Sequence, residues 1–192
     1  NGVATFTQGP YTGANLSSSV TNSGDAFLQN LSDNNGGSSP IVNAEYLEFD
    51  FIPLSNSFSF DFLFASNEYG FYQCEFSDVF AFVLTDLSSG VSNNLAVIPG
   101  SSTPVTVTTI RNSSNNDPSS PNNNCASINP SFFGTYNVGN PTSALNMRGQ
   151  TVVINASSAV VPNTPYRIRL AIGDYANSGF DSAVFIAAGS FT

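Results

Sequence analysis

Four carboxylates have both the type and the placement to do chemistry: Glu68, Asp78, Asp174 and Asp181. Each stands where an apolar run meets a turn, in Ser66-Asn-Glu-Tyr69, Phe76-Ser-Asp-Val79, Gly173-Asp-Tyr175 and Phe180-Asp-Ser182. Only 9% of the chain is charged, so acids at strand ends stand out. If loops from several strands gather at one end of a sandwich, these acids, with Asn67, Asn177 and main-chain carbonyls, make an oxygen cage. Calcium takes about 6–8 such oxygens and tolerates irregular geometry. The spacing matches no EF-hand loop, and the same acids also suit turn capping, accepting backbone N–H groups. Paired carboxylates equip glycosidases too, at a separation of roughly 5–9.5 Å that sequence does not supply. Histidine is absent, which excludes Ser/His/Asp and Cys/His mechanisms. No Gly-rich phosphate loop precedes a helix. The expectation is a non-catalytic protein with calcium as its cofactor, and a carbohydrate-active enzyme ranks last.

Tyr69, Phe71 and Tyr72 cluster in a Gly-containing turn beside Glu68. They read either as a contact surface for a sugar or a protein, or as a cover for the end of the core. Cys74 and Cys125 are the only cysteines, without CxxC spacing or a histidine partner, so a zinc site is not expected. One disulfide in an oxidising compartment is the preferred reading, and two buried thiols the alternative. Asn15, Asn30, Asn112 and Asn155 fit the N-glycosylation acceptor pattern, which so Asn-rich a chain also meets by chance.

The elements that must position these groups are strands. Phe58, Phe60, Phe62 and Phe64 recur with a period of two, as one buried face of a strand requires. Tyr166, Ile168, Leu170 and Ile172 alternate in the same way with Arg167, Arg169 and Ala171. Strands are expected at 44–52, 57–65, 78–86, 94–98, 105–110, 151–156, 165–174 and 181–191, with short ones near 3–7 and 15–20. Residues 25–31 suit a helical turn, and 111–124 a long Asn/Ser/Pro loop. Beta-branched and aromatic residues are plentiful and good helix formers scarce. The fold expected is all-β: a single antiparallel sandwich, jelly-roll-like, with long Asn/Ser-rich loops.

The net charge is −9, with Arg111, Arg148, Arg167 and Arg169 the only basic side chains. Four arginines neutralise few phosphates, which argues against nucleic acid and against anionic lipid. No apolar run approaches the ~18–20 residues of a membrane span. The chain begins at Asn1 and reads as a mature secreted product or a fragment.

Leu47-Glu-Phe-Asp-Phe-Ile-Pro53, Phe64-Ala-Ser-Asn-Glu-Tyr69, Ser77-Asp-Val-Phe-Ala-Phe82, Asn94-Leu-Ala-Val-Ile-Pro-Gly100, Pro104-Val105, Leu170-Ala-Ile-Gly-Asp174 and Asp181-Ser-Ala-Val-Phe185 together resemble the choice-of-anchor L domain over roughly residues 24–191. The resemblance implies a non-catalytic, β-rich, exported module of Bacteroidetes-like bacteria, at the cell surface or secreted. The family pattern has a second acid at Asn67 and an asparagine at Ser77. It matches at Glu68, Asp78, Asp174 and Asp181, and some relatives carry a cysteine pair at Cys74 and Cys125.

On this reading residues 1–23 are an N-terminal arm or short strands exchanged with a neighbour, and 24–192 the domain. The first functional expectation is a subunit of a self-assembling surface fibre. Val3-Ala-Thr-Phe-Thr7 would complete a neighbour's sheet, so the partner is the chain itself as a homopolymer. The second is a calcium-dependent module that binds glycans in adhesion.

Overall fold

A computed structural model describes residues 8–13, 16, 24–121 and 124–192. The strand expected at 3–7, most of that at 15–20 and the sequon at Asn15 lie outside the described residues. Two antiparallel sheets face each other, as the alternating aromatic runs require. The first has the order β1 (Ile41–Phe51), β8 (Tyr166–Tyr175), β3 (Val79–Asp86), β4 (Ser92–Asn94). In the second, β2 (Ser57–Ser66) is central. One of its flanks carries β6 (Gly149–Thr151) and β7 (Ile154–Ala159), with β5 (Phe133–Tyr136) outside β6. Its other flank carries β9 (Ser182–Ile186), and the ladder runs on to reciprocal Ser59–Thr192 backbone bonds of 3.0 Å.

The Phe period of β2 places Phe58, Phe60, Phe62 and Phe64 in the core, against Phe80, Phe82, Tyr166 and Ile168. The rings interlock edge-to-face, with Phe62 and Phe82 at 4.9 Å and 87°. β3 is buried on both faces. Phe80, Phe82 and Leu84 look into the main core, while Val79, Ala81 and Val83 meet a second cluster under helix α1 (Ala26–Asn34). Asp25 caps that helix by accepting the N–H groups of Phe27 and Leu28 at 2.9 and 3.0 Å. Gly173 lets the helix close in, since a Cβ there would stand 2.7 Å from Ile41 Cγ2 and 3.3 Å from Leu28 Cδ1.

Three strand expectations change. Residues 105–110 do not form a strand: Thr109 Oγ1 accepts the Thr106 N–H at 2.9 Å and donates to the Pro104 carbonyl at 2.7 Å, bending the chain into turns that still bury Val105, Val107 and Ile110. Residues 94–98 supply only the end of β4 and a bridge from Val97 to Pro104. The stretch at 151–156 is divided, because the register with β2 slips by one residue between β6 and β7.

Candidate functional site

At the end of the sandwich where β2, β8 and the start of β3 meet, Glu68, Asp78 and Asp174 lie within one another's fields, and Asp181 acts on Asp174. After Ser66 the chain turns sharply, the Glu68 N–H bonding Ser66 Oγ at 3.0 Å and the Tyr72 N–H bonding the Glu68 carbonyl at 3.0 Å. The turns return Asp78 to Glu68, and the Asp78 N–H donates to Glu68 Oε2 at 2.8 Å. Asp78 Oδ1 accepts the Tyr175 N–H at 3.1 Å, tying β3 to the end of β8. Glu68 and Asp78 are only 4% and 1% exposed, although ionised acids are rarely buried without a cation. A bulge in β1 between Val42 and Glu45 puts Asn43 at φ 51°, and its amide donates to Asp174 Oδ2 at 2.9 Å. Asp181 closes the group, its carbonyl accepting the Asn67 N–H at 3.0 Å.

Burial pushes the Glu68 carboxyl up to about 8, against the pull of the Asp78 N–H and with help from the Asp174 charge. Burial also holds Asp78 well above the usual carboxylate range, and the charges of Glu68 and Asp174 add to it; the Ser182 hydroxyl and Tyr175 N–H oppose. Asp174 is raised by burial, opposed by Asn43 and reinforced by Asp181. Ser182 lies close enough to act on Asp78, yet no well-formed hydrogen bond joins them. Asp78 Oδ2 and Ser182 Oγ are buried without a hydrogen-bond partner among the described residues.

Other expected site residues are engaged elsewhere. Asn67 Oδ1 accepts the Arg148 N–H at 3.0 Å and Asn177 Oδ1 the Gly179 N–H at 2.8 Å, so both expected ligand oxygens are engaged by loop backbone. Among the described residues no set of three or more His, Cys, Asp or Glu stands in a ready metal-ligand arrangement. Tyr69 is fully buried and packs edge-to-face on Phe133 at 5.0 Å, which fits the reading as a cover for the end of the core and not that as a surface contact. Phe71 and Tyr72 are half-buried, and Tyr72 stacks edge-on against Phe76 at 5.6 Å and Phe180 at 4.9 Å. No local sequence pattern marks the roles of Asn43 and Phe180. Only Ser182, adjacent to Asp181, carried a sequence signal.

Cys74 and Cys125 form a disulfide with Cα atoms 5.5 Å apart, fastening the 111–125 loop to the acidic turn. Of the sequons, Asn30 and Asn155 are exposed, the latter donating to Asp61 at 2.8 Å, while the Asn112 side chain caps a short 3-10 turn.

The opposite end is apolar. A groove of about 740 Å³ opens between β1 and the 186–192 segment, lined by Leu47, Phe49, Phe51, Leu54, Phe58 and Phe191 among others. Leu54 is 89% and Leu47 60% exposed. Beside it, β1 pairs only with β8 among the described residues, so its outer edge carries unpaired backbone groups.

Two packed antiparallel sheets, with α1 on an outer face and a disulfide, define a β-sandwich module, and among the described residues no helix is long and apolar enough to cross a membrane. The family model for the choice-of-anchor L domain matches residues 1–192, the whole sequence given, and the chain belongs to that family. The family is one of cell-surface or secreted modules. Searches of curated proteins and of solved structures return no match.

Proposed function

We propose that this chain is a non-catalytic subunit of an extracellular fibre, in which residues 3–7 of one copy add a strand to the open β1 edge of the next. The observation that carries this reading is the apolar groove beside that edge. Monomeric proteins seldom expose so continuous an apolar surface without a partner.

Where the chain enters the domain supports a head-to-tail joint. Gln8 bridges Leu145, and the Gly9 N–H bonds the Ala144 carbonyl at 3.1 Å. Leu145 stands four residues before Gly149, the residue of β6 that pairs with Ser66 at the acidic end of β2. The seven residues before Gln8 include Val3 and Phe6, and in a strand Ala4 and Phe6 share one face. An arm at one end and an acceptor at the other make a heterologous contact that does not close, hence a filament.

Electron microscopy and sedimentation of the concentrated protein test this. The full chain should form filaments, while a chain lacking residues 1–7, or carrying Leu54→Asp, should stay monomeric and folded. Dispersed full-length monomers would sink the fibre, and filaments of the shortened chain would sink the strand-addition joint.

A further inference from the structure

We infer that the acidic end binds one hard divalent cation of the calcium class between the carboxylates of Glu68, Asp78 and Asp174, with the Ser182 hydroxyl as a fourth oxygen. The inference does not depend on the fibre reading.

The argument is one of unbalanced charge. Glu68 and Asp78 touch through a 2.8 Å hydrogen bond, are almost fully buried, and have Asp174 within reach of their fields. Such a group either holds protons, as the raised values of Glu68 and Asp78 allow, or ionises against a counter-charge. The chain has no lysine or histidine, and every arginine is committed elsewhere. Arg111 binds the carbonyls of Thr108 at 2.6 Å and Ala126 at 3.0 Å, and Arg148 the Asp117 carboxylate at 3.7 Å. Arg167 pairs with Asp50 at 2.7 Å, and Arg169 with Asp25 and Glu48. When these acids ionise, the compensating charge therefore comes from outside the protein's basic side chains.

An independent observation marks where it goes. Asp78 Oδ2, on a side chain 1% exposed, and the Ser182 hydroxyl beside it are both buried without a hydrogen-bond partner. Buried polar atoms seldom stay unsatisfied, and these two sit inside the carboxylate group. The donors are all oxygens, which suits calcium or magnesium and not zinc or copper. The acids come from three loops whose separation is not yet at ligand distance, and calcium accepts the irregular geometry that drawing them together would give. The left-handed backbone of Ala176 and Phe180, both at φ 71°, lies in the loop joining Asp174 to Asp181 and shows how tightly that loop is already turned.

The test uses the full chain, stripped with a chelator and kept dilute so that assembly does not contribute, with calcium chloride alone as the probe. At a hundredfold excess over Kd the melting temperature should rise by roughly 5–10 °C. Terbium in place of calcium should show tyrosine-sensitised emission, with Tyr175 and Tyr72 close by. Glu68→Gln and Asp78→Asn remove a buried ionisable carboxyl while keeping shape, so both should fold, shown by an unchanged circular-dichroism spectrum. Both should lose the calcium shift and the terbium signal, whereas Asp33→Asn, an exposed acid on α1, should keep them. An unmoved wild-type melting temperature would overturn the site. So would a full shift in Asp78→Asn, or loss of the shift in Asp33→Asn, which would mean diffuse binding.

Discussion

The two ends of the sandwich solve opposite problems with the same strands. β2 and β8 each run from an apolar mouth at Ser57 and Tyr166 to a buried acidic pole at Ser66 and Tyr175. At the mouth the sheets are left open, and aromatic groups such as Phe49 and Phe191 remain partly wet. At the pole the ends are sealed by α1, the disulfide and the rings of Tyr72, Phe76 and Phe180, and carboxylates are drawn inside. An open apolar end lowers its free energy by acquiring a partner surface, and a closed acidic end by acquiring positive charge. The difference teaches that association and ion binding can be separated by mutation, because no residue lining the groove belongs to the acidic group.

The largest expected break in this comparison is at the pole. Replacing Cys74 and Cys125 by serine frees a loop of 51 residues and should lower unfolding stability by about 4 kcal/mol in chemical denaturation. The mouth should keep its behaviour, since neither cysteine approaches it. Next comes pH, measured on chelator-treated protein. Raised folded-state values mean that the native chain binds more protons than the unfolded one, so the stability is present in full below about 4.5 and falls as pH rises toward and through about 8. Asp78 and Asp174 shift in the same direction and add to the trend. The loss should be on the order of a few kcal/mol, and flat stability across that window would argue against paired buried acids. The smallest effect belongs to the mouth. Phe191 stacks on Phe60 at 4.8 Å yet is 42% exposed, so Phe191→Ala should cost only about 1–2 kcal/mol, with no change in pH dependence.

Much of this contrast was legible in the residues. The even-numbered phenylalanines of β2 and the alternation of β8 specify both sheets, because burial on one face leaves a period of two in the sequence. The strand-end positions of the acids point to one end of the sandwich, where Glu68 and Asp78 touch. Other features left no such trace. β5 has four residues and borrows its stability from β6. Residues 105–110 carry the β-branched alternation of a strand, and threonine hydroxyls override it by closing turns. Asn67 and Asn177 looked like ligands by composition, but loop backbone N–H groups claimed their oxygens first. The Asn43 bulge depends on register between strands far apart in sequence, which no local pattern records.

The ladder that ties Thr192 to Ser59 has a practical corollary. Because Thr192 also lines the mouth, any peptide fused after it, such as an affinity tag, would be delivered onto the acceptor groove. Purification handles belong on an exposed loop such as the Gly139 turn between β5 and β6, where there is room.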